Sequence, residues 1–295
     1  MKPQSMRWHL RLANLSAYKK LMRLDKPIGI YLLLWPTLWA LWIASSGLPH
    51  WHYFLVFVTG TVLMRSAGCV INDYADRHVD GEVERTKTRP LPAKEVTESE
   101  VLQLFGLLIL LSFLLVLSLD LQTIILSVIG LILAFSYPFM KRFTHYPQVV
   151  LGAAFSWPIP MVFMAVQADL PQELWLLYFA NLCWTVAYDT FYAMVDREDD
   201  LKIGVKSTAI AFGKNDLLVI AVLYSLTILL MLKVGQVLYW HWPVYSALII
   251  ASGLFIQHLW QTKDRNRDAC FKVFLNNHYV GFIIFIGIAL EYYLY

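Results

Sequence analysis

Apolar side chains run through this chain in blocks of helical length, and short polar stretches between the blocks collect nearly all the charge. Marking the blocks gives nine candidate spans, roughly 28–46, 53–72, 101–118, 121–139, 147–166, 173–194, 215–233, 241–260 and 278–295. Each approaches the ~17–20 apolar residues that a helix needs to cross the hydrocarbon of a bilayer. The pattern predicts an all-α polytopic membrane protein with nine transmembrane helices in one bundle. Only Leu119-Asp120 separates the third and fourth spans, so these read as a tight hairpin. No Gly/Ser-rich or Pro-rich linker interrupts the chain, and residues 1–295 are expected to form a single domain.

Positive charge tests this topology independently. All but two of the 24 Lys and Arg residues fall before span 1 or in the loops after spans 2, 4, 6 and 8. The exceptions are Lys233, on the other side, and Arg65, inside span 2. Cytoplasmic loops retain Lys and Arg. The N-terminus and the long loops are therefore expected in the cytoplasm, and the C-terminus outside. Hydrophobic residues make up 58% of the chain against 15% charged, and the mean hydropathy of +0.55 excludes a soluble domain. The net charge of +3 resides in those loops and calls for no nucleic acid. Cys69, Cys183 and Cys270 show no paired spacing, so no disulfide framework is expected. The first apolar run begins late and is long enough to stay in the membrane, unlike a cleavable signal. Before it, Trp8, Leu12, Leu15 and Leu21 alternate with basic residues, and 1–27 is expected to lie as a segment on the membrane surface.

Chemistry enters with two acidic stretches at the ends of spans 2 and 6. The first is Asn72-Asp73-Tyr-Ala-Asp76-Arg-His-Val-Asp80; the second runs from Asp189 through Asp196 to Asp200. Residues four apart share a helix face, so Asn72, Asp76 and Asp80 form one stripe and Asp189, Asp196 and Asp200 another. Four spans separate them, which brings both out on the same side. A lone acidic cluster beside a membrane helix is commonly a solvated helix end. Two at matched positions, with Asn72, Asp73 and Asp189 inside or at the edge of apolar spans, carry a cost of several kcal/mol that a cation or a basic partner would offset. Crowded oxygen ligands with room for water and phosphate suit Mg²⁺; His78 and His145 read as surface residues. Arg85, Lys87, Arg89, Lys141, Arg142, Lys202 and Lys206 surround the stripes, either as ordinary cytoplasmic charge or as contacts to diphosphate oxygens. Arg65 lies two turns deeper than Asn72, to pair with an acid such as Asp189 or to bind an anionic second substrate. Tyr137, Tyr188 and Tyr192 flank the stripes as interfacial anchors or as π-faces for a developing cation.

These residues resemble the UbiA superfamily of intramembrane aromatic prenyltransferases. The resemblance is carried by both acidic motifs, by Arg23-Leu-Asp25-Lys26-Pro27-Ile-Gly29, by Arg65 with Gly68-Cys69, by Arg89-Pro90-Leu91, by Tyr137 with Lys141, and by Gly204-Val-Lys206-Ser207-Thr208. The stretch from Tyr188 to Arg197 is most similar to the 4-hydroxybenzoate polyprenyltransferases of ubiquinone synthesis. The resemblance implies a polyprenyl diphosphate donor and 4-hydroxybenzoate as acceptor, in the lipid bilayer of a bacterial inner membrane. It implies Mg²⁺ held by Asn72, Asp76, Asp80, Asp196 and Asp200, with Asp73 as an auxiliary acid. Lys141 and Arg142 would then meet the diphosphate, along with Arg89 and Lys206. Arg65 or Arg23 is the candidate for the acceptor carboxylate, Tyr137 and Tyr192 for the substrate walls, and Asp189 for the proton. Other acceptors in the family are naphthoate, homogentisate and haem. A cation transporter is the alternative from another class; its acids would sit near the bilayer midplane rather than at one edge.

Overall fold

Polar residues and prolines at the block boundaries set the helix ends. The computed structural model describes residues 10–77 and 86–295, and for Ile203 the backbone only. A single 3₁₀ turn leads into α1 (Leu15–Leu21), followed by α2 (Ile28–Ala44), α3 (Trp51–Ala75), α4 (Glu98–Val116) and α5 (Leu121–Phe143). A capping box opens α4: the Glu100 amide donates to Thr97 Oγ1 at 3.3 Å, and the Glu100 carboxylate accepts from the Thr97 amide at 2.9 Å. Asp120 caps α5 by accepting from the Thr123 amide at 2.9 Å. The fifth apolar block is two helices, α6 (Pro147–Ser156) and α7 (Pro158–Gln167), interrupted where Pro158 withdraws an amide donor. Then come the long α8 (Gln172–Ile203), the short α9 (Thr208–Phe212), α10 (Asp216–Val237), α11 (Trp242–Gln261) and α12 (Arg267–Leu294).

Among the described residues, seven segments are long and apolar enough to cross a membrane: α3, α4, α5, the α6–α7 pair, α9 with α10, α11 and α12. Length and composition thus carry seven crossings rather than the nine expected. Helices do occupy the other two places, but α2 has only 17 residues, and Asn181, Thr185 and Asp189 dilute the apolar run of α8.

The helices close into a ring. Contacts run from α2 through α3, α5, α6, α8, α10, α11 and α12 back to α2, and α12 also meets α8 across the interior. The main core lies on the α8 side, where Trp39, Trp184, Phe163 and Phe191 are fully buried. Asn277 of α12 ties that core together: its Oδ1 accepts from Trp184 Nε1 at 3.1 Å and from the Tyr224 hydroxyl at 3.0 Å. A smaller core joins α1 to α3 and α4 through Tyr18, Leu21, Ala67, Val70, Val101 and Leu104. The described part of the N-terminal segment is therefore docked on protein as well as offered to lipid. Tyr18 and Asn14 both donate to the Glu100 carboxylate at 2.7 Å, while Leu12 and Leu15 stay exposed.

One expectation about the hairpin needs correction. The connection between α4 and α5 is four residues, 117–120, rather than two, and the two helices splay and barely touch. α4 packs along α3, whereas α5 leans on α6 and α7. Each helix finds more apolar surface on those partners than on the other, and the gap between them becomes one side of a cavity.

Candidate active site at the acid-lined end of the bundle

A cavity of about 1160 Å³ runs between the two cores. One end is walled by Asn72, Asp73 and Asp76 of the first motif, Asp189, Asp196 and Asp200 of the second, and Arg65, Lys141 and Arg142. Away from that end the lining turns apolar, with Val56, Phe57, Ile109, Leu110, Phe113 and Leu131. Leu110 and Phe113 are also exposed on the outer surface, so the cavity opens sideways between α4 and α5.

The first motif is not one continuous helical stripe. α3 ends at Ala75, and Asp76 is its C-cap with φ −92° and ψ 3°. Side chains satisfy the last carbonyls of the helix there. Arg142 donates to the Ala75 oxygen at 3.1 Å and Arg77 to the Tyr74 oxygen at 2.8 Å. Asn72 and Asp76 nevertheless share a face, with Asn72 Nδ2 donating to Asp76 Oδ2 at 3.3 Å. Lys141 Nζ stands 3.6 Å from the same carboxylate. Asn72 Oδ1 is buried and accepts no hydrogen bond. Asp80 and Arg85 lie outside the described residues.

Asp73 is placed differently from the expectation that it binds metal. Its carboxylate is 1% exposed and accepts from Arg23 at 2.7 and 2.9 Å and from Arg89 at 3.0 Å. Both arginines, expected on substrate, are joined to Asp73 and also line the cavity. One residue along a helix rotates a side chain by about 100°, which turns Asp73 from the Asn72 face toward the N-terminal segment. Arg23 takes a positive φ of 57° and also donates to the Lys20 carbonyl at 2.6 Å.

The second motif is a stretch of one helix, α8, which presents Asp189, Tyr192, Asp196 and Asp200 to the cavity. An ion cluster fixes this end of α8 from behind. Asp216, fully buried at the start of α10, accepts from Arg197 and from Arg265 Nε at 3.0 and 3.1 Å. Arg267 pairs with Asp199 at 2.9 Å, and Lys202 lies 3.5 Å from the same residue. Sequence reasoning missed Asp216 and Arg265, because nothing local marks a partnership across 49 residues.

Arg65 and Asp189 form a separate subsite. The guanidinium lies against the backbone of Gly29, where a Cβ would come within 2.6 Å of Nε and Nη2. On its other side the Phe155 ring centroid is 5.5 Å from Cζ. Arg65 Nε is buried without a hydrogen-bond partner, and among the described residues no carboxylate pairs with this arginine directly. Of the two expectations for Arg65, direct pairing with Asp189 is thus not what the structure contains. Asp189 is 7% exposed and faces the same space, near Tyr188, which is buried edge-on to Trp184 at 5.2 Å. Tyr137 lines the cavity from α5, and Tyr192 packs on Phe274 at 4.7 Å.

Two further basic positions fall away from the cavity wall. Lys206 caps α5: its amide donates to the Lys141 carbonyl at 3.1 Å and its ammonium to the Phe143 carbonyl at 3.4 Å. Lys87 is exposed on the surface.

Comparison with known proteins agrees with this geometry. Residues 33–286 match the UbiA prenyltransferase family. The 4-hydroxybenzoate octaprenyltransferase of Cronobacter sakazakii is 59% identical over 290 residues, covering 97% of this chain and 99% of the relative. The protein of that name from Klebsiella pneumoniae is 58% identical, covering 97% and 100%. Among solved structures, a UbiA homologue from Aeropyrum pernix K1 aligns with a TM-score of 0.78 at 21% identity, covering 89% of this chain and 97% of that one. A UbiA homologue from Archaeoglobus fulgidus bound to GPP and Mg²⁺ aligns with a TM-score of 0.70 at 17% identity, covering 94% and 99%. The solved structures share the fold, and the two bacterial relatives share more than half of their residues over nearly the full length. With an acid-lined cavity inside a ring of membrane helices, the chain belongs to the UbiA prenyltransferase family.

Proposed function

We propose that the protein transfers a polyprenyl group from polyprenyl diphosphate to 4-hydroxybenzoate, at the ring carbon ortho to the hydroxyl, as a step of ubiquinone biosynthesis. The observation that carries this reading is one continuous cavity with an acid-and-arginine end and an apolar side opening, in a chain 59% identical to a relative of that name. The charge distribution supports the bacterial inner membrane with nine crossings, the N-terminus and acid end in the cytoplasm, and the C-terminus outside. A lipid donor then reaches the cavity from the bilayer, while the aromatic acid enters from water.

The donor set fits Mg²⁺. Asn72 and Asp76 on one side and Asp196 and Asp200 on the other supply hard oxygens, and Asn72 Oδ1 is a buried acceptor without a donor. Among the described residues no three His, Cys, Asp or Glu side chains converge on one point. Asn72, Asp76, Asp196 and Asp200 would hold the Mg²⁺. Bound Mg²⁺ would supply charge neutralisation that makes diphosphate a better leaving group. Lys141, beside Asp76, adds an ammonium to the leaving oxygens, and Arg142 holds the end of α3 in register. Asp73 serves as the anchor of Arg23 and Arg89 rather than as a ligand.

Arg65 takes the acceptor carboxylate through its terminal Nη nitrogens, because Nε is buried against Gly29. That places the phenol ring among Tyr137, Tyr188 and Asp189. As the allylic C–O bond breaks, the ring carbon attacks the allylic cation. Asp189 accepts the proton whose loss restores the aromatic ring, and the Tyr137 and Tyr192 rings face the passing positive charge. Gly29→Ala tests the carboxylate site from its wall, because the added Cβ displaces Arg65. The KM for the aromatic acid is expected to rise about tenfold, with the KM for the prenyl donor unchanged. An unchanged acceptor KM would remove Arg65 from this role.

Membranes carrying the protein, incubated with labelled polyprenyl diphosphate and a panel of aromatic acids, test the whole reading. Prenylated 4-hydroxybenzoate is expected to form, to disappear with EDTA and to return with added Mg²⁺. Preferential labelling of a naphthoate or of homogentisate, or turnover indifferent to EDTA, would overturn it.

A further inference from the structure

One wall of the cavity leaves open a space that a side chain would fill. Gly60 lies twelve residues before Asn72 on α3, about 18 Å away at the rise of an α-helix. It lines the cavity, and a Cβ placed on it meets no atom within 4 Å. Gly130, eleven residues before Lys141 on α5 and so at a similar depth, is the opposite case. A Cβ there would strike Trp157 Cδ1 at 2.7 Å. The Trp157 indole lies on α5 and donates to the Leu126 carbonyl at 2.7 Å, and the break between α6 and α7 follows it directly. At this depth one wall is fixed by a hydrogen-bonded tryptophan and another is bare backbone facing open space.

We infer that Gly60 gauges the length of the prenyl tail. The inference rests on the polyprenyl-transfer reading and concerns the donor alone. With its diphosphate held near Asn72 and Asp76, an extended tail arrives at Gly60 after about four isoprene units, given the distance set by the helix rise. The cavity does not end there: Val56, Phe57 and Leu119 continue its lining. A long donor that follows α3 therefore has somewhere to go, and on that course it passes Gly60. A side chain at position 60 would narrow the bore at the depth of the hydrogen-bonded Trp157. Donors too short to reach that depth would not meet it. A second course is marked by Gly106 of α4, which also lines the cavity and has open space around a Cβ. It lies only eight residues into α4, about 12 Å from its start, beside the sideways opening. A tail leaving there would never reach Gly60, so substitutions at the two glycines distinguish the courses.

The full-length protein in membranes, assayed for kcat/KM with geranyl, farnesyl, geranylgeranyl and octaprenyl diphosphates, decides the matter. The variants are Gly60→Ala, Gly60→Leu and Gly106→Leu. For both Gly60 variants, geranyl and farnesyl transfer is expected to stay within about twofold of wild type. Octaprenyl transfer falls about tenfold or more in Gly60→Leu and by less in Gly60→Ala, the discrimination that a few methylenes give in an apolar site. Gly106→Leu retains octaprenyl transfer. Octaprenyl transfer that survives in Gly60→Leu and fails in Gly106→Leu would overturn the gauge, as would an equal loss on every donor in both Gly60 variants. In either case wild-type turnover leaves the underlying reaction standing. A wild-type protein that prenylates no aromatic acid would sink that reaction, and the gauge with it.

Discussion

Asp76→Ala and Asp196→Ala each lose at least about a thousandfold in turnover, the scale expected when an electrostatic stabiliser of the leaving group is removed, and both variants remain folded in the membrane. The reason lies in where these carboxylates stand. Asp76 closes α3 as its C-cap, with a side chain 23% exposed toward the cavity and Lys141 at 3.6 Å. An ion pair of that kind contributes about 0–1 kcal/mol to stability, so its loss does not unfold the bundle. Asp196 sits on a helix that the Asp216 cluster and Arg267 already secure from the other side. Prenyl transfer measured alongside thermal unfolding in detergent checks both halves of the expectation. Near-normal activity in either variant would remove the two motifs from the chemistry.

Asp216→Ala gives the reverse outcome. This carboxylate is fully buried and accepts from Arg197 and Arg265, so its removal strands two guanidinium groups at the junction of α8, α10 and the loop before α12. Deleting one partner of a fully buried pair costs about 3–5 kcal/mol, and with Arg197 and Arg265 partly exposed the loss here is expected to fall below that. The variant is expected to unfold at a clearly lower temperature and to become sensitive to protease in the loop that carries Arg265. Activity, where the variant is folded, falls less than in Asp196→Ala. An unfolding temperature equal to wild type would show that the cluster does not hold α8. The two aspartates stand at the same end of the bundle and differ only in solvent access and partners. That difference makes one a matter of turnover and the other of stability.

Much of this was legible along the chain. Apolar blocks placed most helix ends to within about four residues, since each must bury or offer to lipid a run of hydrocarbon of fixed length, whereas α8 runs nine residues past its block and α12 starts eleven before its own. The four-span separation of the motifs put both at one end, and Asp189, Asp196 and Asp200 do share α8. Arg65 stood out as a cation inside an apolar span. Less could be read where partners come from far along the chain. Asp73 reads like its neighbours Asn72 and Asp76, yet Arg23, fifty residues earlier, and Arg89 occupy it. Lys206 reads as a phosphate contact and instead caps α5. A two-residue connection reads as a hairpin, and the helices it joins splay into the wall of a cavity.

By itself the sequence determined the all-helical membrane architecture, the two acidic motifs and their placement at one end of the bundle, because periodicity acts locally and repeats in every segment. Which carboxylates face the cavity, which are consumed by arginines and how wide the apolar passage is were decided only in three dimensions. Those properties depend on contacts between residues tens of positions apart, and no local pattern encodes them.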